Sequence, residues 1–283
     1  MRTLVAIATR GRPLRLAGAL HSFRTLQSGQ HQVDYVLRVD DDDTQTLELV
    51  PQLTDTYGIE AMIRPRPVTL GQAWNEIAAD REWDACAVVA DKHLCLSPNW
   101  DEGVSVLFER QKLPMARWNL IRAPEEMAMI MPRKWYDTVG RIYPEWFPFW
   151  FSETWVREVH HLAFGSDVTL VNDMPITEPA FVTQGLRNLE LWFDFFAKTR
   201  SLRVREAEQI AATYGAKPFD RRSVIESMRN IDAWQKPRIE GYYATRGGRP
   251  NAPPTAQYLI AEQRAIDWLR DNVLEYTETA GAA

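Results

Sequence analysis

The sequence predicts an α/β fold, a mostly parallel twisted sheet flanked by helices, with a helical C-terminal extension. Three observations carry this. Short strand-like runs at 4–8, 33–39, 59–63 and 85–90 alternate with stretches of helical periodicity, the pattern of βα units in a parallel sheet. Polar side chains gather just past the first, second and fourth of those runs. Past Phe181 the composition shifts to amphipathic, helix-like segments.

The elements follow in order. Residues 4–8 read as a central strand that ends in Thr9-Arg10-Gly11-Arg12-Pro13, where Gly permits a sharp turn and Pro suits a first helical turn. Leu14, Leu16, Ala17, Leu20, Phe23 and Leu26 repeat at helical spacing, with Ser28-Gly29 as the stop. The second strand, 33–39, runs into four adjacent carboxylates, Asp40 to Asp43. Such a run repels itself, so each member needs solvent, a cation or a hydrogen-bond donor. A helix is expected over 44–57, closed by Gly58, then a strand at 59–63 ended by Arg64-Pro65-Arg66-Pro67. The next helix covers 69–79 with Thr69 as N-cap, and the fourth strand covers 85–90. That strand stops at Asp91, Lys92 and His93 and precedes an amphipathic run from Trp100 to Arg110.

Strands at 115–121 and 127–131 face each other across an Ala-Pro-Glu-Glu turn, and a short helix at 132–139 ends at Gly140. The aromatic, proline-rich 143–151 segment is expected to pack as a rigid buried loop, with a sugar platform as the functional alternative. Ser152 is expected to cap a helix over 152–164, and one more strand covers 168–171. The extension holds helices at 186–196, 198–214 and 257–276, a Gly/Pro-rich loop at 245–255 and a frayed tail. The domain reading is 1–185 for the catalytic half and 186–283 for the extension.

Composition bounds the function. Across 283 residues the net charge is −5, so nothing draws the chain generally to nucleic acid or anionic membrane. Between Lys198 and Arg249, twelve basic residues face six acidic ones, either a solvated helical face or a contact for an anionic acceptor or diphosphate. Cys86 and Cys95 lie in or near the apolar strand region and read as reduced, buried thiols. Seven of the eleven tryptophans fall between Trp74 and Trp150, and most are expected in the core. No transmembrane run or signal peptide is apparent, and the expected location is cytoplasmic. No Gly-x-Gly-x-x-Gly, Walker loop or Gly-x-Ser-x-Gly elbow occurs, so dinucleotide, ATPase and serine-hydrolase readings lack support.

Ligands of open α/β sheets bind beyond the carboxyl ends of the strands. Three turns carry polar groups there: Arg10 and Arg12, the Asp40 run, and Asp91 with His93. If the backbone stays extended after Ala90, Asp91 and His93 leave on one face, where a carboxylate and an imidazole can hold a divalent cation; the alternative is a turn whose Asp caps the next segment. The adjacent His160 and His161 cannot share a helix face, so they form no joint metal site.

Four stretches, VAIATRGRPLRLAGALHSF, VLRVDDDDTQT, TLGQAWNEIAAD and AVVADKHLCLSPNW, resemble in order and spacing the nucleotide-sugar-binding half of a GT-A-fold, family 2-like glycosyltransferase. The resemblance covers the first hundred residues and continues more faintly to about residue 180. It implies a GT-A-like (Rossmann-like) fold and transfer of a sugar from a nucleotide-diphosphate donor, UDP-linked, to an acceptor hydroxyl. It places Thr9, Arg10 and Arg12 in the nucleotide loop, and Asp40 and Asp42 where a carboxylate receives a pyrimidine N–H. Ala73, Trp74 and Asn75 match the family's Ala/Arg-Asn pair. Asp91-Lys92-His93 falls on the family's metal-binding Asp-x-Asp with His in the second acidic position, implying Mn²⁺ or Mg²⁺ at Asp91 and His93, with Lys92 as cationic support. Glu153 matches the first of the acidic pair that opens a helix and supplies the base of an inverting hexosyltransferase; Thr154 replaces the second. The acceptor stays open: saccharide, lipid-linked glycan, protein or modified nucleic-acid base. The alternatives are a nucleotidyltransferase on a sugar phosphate and a non-catalytic nucleotide-sugar-binding protein of the same fold.

Overall fold

Three βα steps and a fourth strand open the chain: β1 (Arg2–Thr9), α1 (Pro13–Thr25), β2 (Gln32–Asp40), α2 (Thr44–Tyr57), β3 (Glu60–Arg64), α3 (Leu70–Ala79) and β4 (Ala85–Ala90). The computed structural model describes residues 1–79, 81–121, 128–148, 151–177, 188–217 and 255–280. Two compact units contain them, residues 1–144 with 167–180, and 145–166 with 181–283.

The first unit is built on one eight-stranded sheet. After β4 come β5 (Leu94–Cys95), α4 (Trp100–Ser105) running into a π turn at Val106–Arg110, β6 (Ala116–Leu120), β7 (Met129–Pro132), α5 (Arg133–Val139) and β8 (Thr169–Thr177). The strand order is β3-β2-β1-β4-β7-β6-β8-β5. The β3-β2-β1-β4 run is parallel, as the alternation of strands and helices predicts. β7 pairs antiparallel with both β4 and β6, so the expected hairpin partners do face each other. The Ala-Pro-Glu-Glu turn between them lies outside the described residues. The amphipathic run over 100–110 starts as an α-helix and widens in its second half, where the Gln111 N–H reaches back five residues to Val106.

Both faces of the central strands are covered. Val5 and Ile7 of β1 pack with Leu16, Leu20 and Phe23 of α1 in one apolar cluster. Residues two apart on a strand share a face, and α3 lies against β1 with Ala73, Trp74, Ile77 and Ala78 buried. Each fully buried Leu or Phe side chain stabilises the fold by about 1.5–3 kcal/mol. Trp100 and Trp118 meet Phe23 at 5.6 and 5.7 Å, and the Trp100 indole N–H donates to the Phe23 carbonyl at 2.8 Å. With Trp74, Trp83 and Trp135 also buried, the core reading of the tryptophans holds. Cys86 and Cys95 are buried free thiols.

The described residues of the second unit form the helices α6 (Ser152–Phe164), α7 (Leu189–Lys198), α8 (Arg200–Tyr214) and α9 (Ala256–Ala280). Phe147, Phe151, Trp155, Phe195 and Phe196 form its aromatic core. Ser152 is not the N-cap of α6. Phe151 takes that position at φ 71°, because its ring is drawn into the core against Phe196 at 5.0 Å, and Ser152 is carried, buried, into the first turn. His160 is buried and His161 exposed, so the two histidines do point apart. α9 continues to Ala280, past the expected end at 276. The 245–255 loop, apart from Thr255, and half of the basic excess lie outside the described residues. Among the described residues no helix is long and apolar enough to cross a membrane.

Candidate functional site

Strand register brings the three polar turns together. Ala8 of β1 lies opposite Arg38 of β2 on one side and Ala90 of β4 on the other. The carboxyl ends of the three strands are therefore level, and Arg10, Asp40 and Asp91 all emerge at one edge. β1 is also where the order reverses, with β2 to one side and β4 to the other, the position at which open sheets leave a crevice.

Hydrogen bonds join these turns. The buried Thr9 hydroxyl donates to Asp91 Oδ2 at 3.1 Å, and Arg12 reaches Asp91 Oδ1 at 3.2 Å. Arg10 donates to Asp40 at 2.7 Å and grips both oxygens of Asp42. Bonding to Arg10 and its nearby charge hold the Asp42 carboxyl below the usual range, and Asp42 in turn raises Arg10. Gly11, at φ 64°, has a backbone conformation that L side chains avoid, and its N–H donates to Asp43 at 2.7 Å.

Each member of the acidic run thus meets one of the needs its sequence implied. Asp40 takes Arg10 and the buried Arg38, Asp41 faces solvent, Asp42 takes Arg10, and Asp43 takes backbone amides. Asp43 is the N-cap of α2, accepting from Thr46 N. It was not among the expected site residues, although Asp directly before a helical run is an N-cap signature.

Arg38 was also missed. Almost fully buried, it donates to Asp40 Oδ1 at 3.0 Å, Glu76 at 2.7 Å and the Val39 carbonyl at 2.8 Å. The signal was a lone cation inside the apolar run VLRV. Its effect is to fix Asp40 from behind.

Of the other expected members, Asn75 is bound to backbone. Buried Asn75 accepts from Ile142 N at 2.8 Å and Tyr143 N at 3.1 Å, and donates to the Tyr143 carbonyl at 2.9 Å. It ties α3 to the 142–143 segment. Glu153 sits half-buried in the first turn of α6, in the second unit. Lys92 is half-buried in the turn after β4.

The expected pairing of Asp91 with His93 is not formed. The chain turns after Ala90, with the His93 N–H bonded to the Ala90 carbonyl at 3.0 Å, so the extended backbone that would have placed both on one face is absent. His93 Nδ1 accepts from the Ala90 N–H at 3.1 Å, which leaves the proton on Nε2. Burial, helped by Lys92, lowers the His93 pKa to about 3, so the ring is neutral. Among the described residues no three His, Cys, Asp or Glu side chains come together to hold a metal ion. Asp91 already carries Thr9 and Arg12, and the imidazole lone pair is used locally. The side chains at this edge do not fit a resident divalent cation.

A cavity of about 320 Å³ opens at the opposite, amino edge, lined by Arg2, Asp34, Glu60 and Arg81 among others. Its arginines are held by its own acids, Arg2 by Asp34 at 2.6 Å and Arg81 by both oxygens of Glu60. The carboxyl edge, where three turns meet, is the candidate site.

No protein-family model and no curated protein sequence matches the chain. Solved structures do. S. aureus TarS 1-349 in complex with UDP-GlcNAc matches with a TM-score of 0.58 at 10% identity, over 75% of this chain and 71% of that one. The mannosyltransferase PcManGT from Pyrobaculum calidifontis, in complex with GDP-Man and Mn²⁺, matches with a TM-score of 0.54 at 11% identity, over 96% of this chain and 88% of that one. At such identities the likeness is one of fold, and the expected GT-A-like α/β architecture is the one observed.

Proposed function

We propose that this chain is an inverting glycosyltransferase that moves a hexose from a nucleotide-diphosphate donor, UDP-linked, to an acceptor hydroxyl. The observation that carries the reading is the hydrogen-bonded junction of three turns at the level ends of β1, β2 and β4, at the reversal of strand order. The fold is shared with a mannosyltransferase crystallised with GDP-Man and with a protein crystallised with UDP-GlcNAc, which supports a nucleotide sugar as the ligand class.

In this reading Asp40 is the carboxylate of the acidic run that takes the base N–H, and Thr9, Arg10, Gly11 and Arg12 follow the nucleotide. α1 starts at this edge with Pro13 in its first turn and no side-chain cap, and an uncapped helix start favours a negative ligand. Lys92 adds positive charge beside Asp91. Asn75 acts one step back, by fixing the 142–143 segment against α3. Glu153 is the base that takes the acceptor proton, a role that rests on its place in the first turn of α6 and on its match to the family's acidic position.

The test is a nucleotide-sugar panel read by thermal shift, because a ligand that binds only the folded state raises its melting temperature. UDP- or GDP-linked sugars should stabilise, and the best of them should be slowly hydrolysed without an acceptor. A flat panel would remove the proposal.

A further inference from the structure

The donor diphosphate needs positive charge, and the side chains at the carboxyl edge do not fit the divalent cation that would ordinarily supply it. We propose that the guanidinium groups of Arg10 and Arg12 take that place, and that the diphosphate binds by displacing Asp42 from Arg10. The inference rests on the nucleotide-sugar reading of the same site.

Four observations carry it. Arg12 lies against Asp91 at 3.2 Å and so pairs with the carboxylate that a cation would need, while its side chain stays 47% exposed. A guanidinium has five N–H donors in a planar fork, and the ion pair of Arg12 with Asp91 uses one nitrogen. Arg10 is 37% exposed and also grips an exposed partner, Asp42 at 54%, which can swing away into water. Gly11 lies between the two arginines with its N–H fixed on Asp43, so the loop that presents them is anchored rather than free to collapse onto the acids.

The charges around the site bear on this directly. Asp40 keeps Arg38 when Arg10 turns outward, and Asp91 keeps the Thr9 hydroxyl. Asp42 gives up both of its Arg10 hydrogen bonds to the ligand, at a solvent-exposed position where unpairing costs little. An exposed carboxylate thus competes with phosphate for Arg10. Removing its charge should tighten binding, the reverse of what removing a metal ligand does.

The experiment is calorimetric titration of the full chain with UDP and GDP, in EDTA and in Mn²⁺, for the wild type, Asp42→Asn and Arg12→Gln. The expected result is equal wild-type affinity in both buffers, tighter binding in EDTA for Asp42→Asn, and a loss of about tenfold to a hundredfold for Arg12→Gln, the range for a hydrogen bond to a charged group. Wild-type binding that requires Mn²⁺ would overturn the inference and leave the nucleotide-sugar reading standing. An Asp42→Asn variant that binds more weakly would also overturn it. Should Arg12→Gln fail to fold, the exposed Asp42→Asn variant still decides. Absence of binding in either buffer would overturn both the inference and the reading beneath it.

Discussion

Asp43 joins the structural and functional halves of the site, and Asp43→Ala separates their contributions. The carboxylate is buried, caps α2 through Thr46 N and holds the Gly11 N–H at 2.7 Å. Loss of an N-cap costs about 0.5–2 kcal/mol. Loss of a backbone hydrogen bond to a charged acceptor costs about 1.5–3 kcal/mol, and the Gly11 N–H has to find water instead. Together these predict a destabilisation of about 2–5 kcal/mol, read as a fall in the urea midpoint at unchanged slope. Asp43→Asn keeps an acceptor oxygen and should lose about half as much. Both variants should also bind nucleotide more weakly, because the Thr9–Arg12 turn loses its anchor. A change below about 0.5 kcal/mol, the scale of an ordinary surface substitution, would refute the view that Asp43 ties β1's turn to α2.

Three further outcomes are expected. Asn75→Ala strips three hydrogen bonds from the buried 142–143 backbone and should cost at least about 3 kcal/mol in urea unfolding, at about 1–3 kcal/mol per stranded group. Gly71→Ala tests the same junction independently, since a Cβ there would lie 2.6 Å from the Pro144 carbonyl oxygen; it should destabilise by about 1–3 kcal/mol. Glu153→Gln should leave nucleotide binding intact and cut transfer by about 10²–10⁴-fold, and a variant with wild-type turnover would eliminate Glu153 as base. Burial pushes the Cys95 thiol up to about 11 and Cys86 higher still, so both are protonated below that pH. A thiol reagent at pH 8 should label neither until the protein unfolds, and rapid labelling of the native protein would contradict their burial.

The sheet was legible because its central strands are buried on both faces, so 4–8 and 85–90 appear as unbroken apolar runs, while 33–39 alternates. The ends of those runs also located the polar edge, since the parallel register follows once strands alternate with helices. What the sequence concealed depends on local backbone. Asp91 and His93 look like neighbours on one face only while the chain is extended, and the turn closed by His93 N–H and Ala90 carbonyl was not encoded by any Gly or Pro. Ser152 has the chemistry of a cap, yet the burial of Phe151 shifts the helix start by one residue. Arg38 was hidden by its apolar neighbours, because a buried cation is recognisable only once Asp40 and Glu76 are placed around it.

The central claim, that a nucleoside diphosphate binds at the carboxyl edge of β1, β2 and β4, is tested most directly by mapping backbone amides in a ¹H–¹⁵N spectrum during titration with UDP. Shifts should concentrate at Gly11, at Asp41 to Asp43 and at Lys92 and His93. The amides of Arg2, Asp34, Glu60 and Arg81, around the 320 Å³ cavity at the other edge, should stay still. Saturable shifts centred on that second group, with Gly11 and Lys92 unmoved, would contradict the claim.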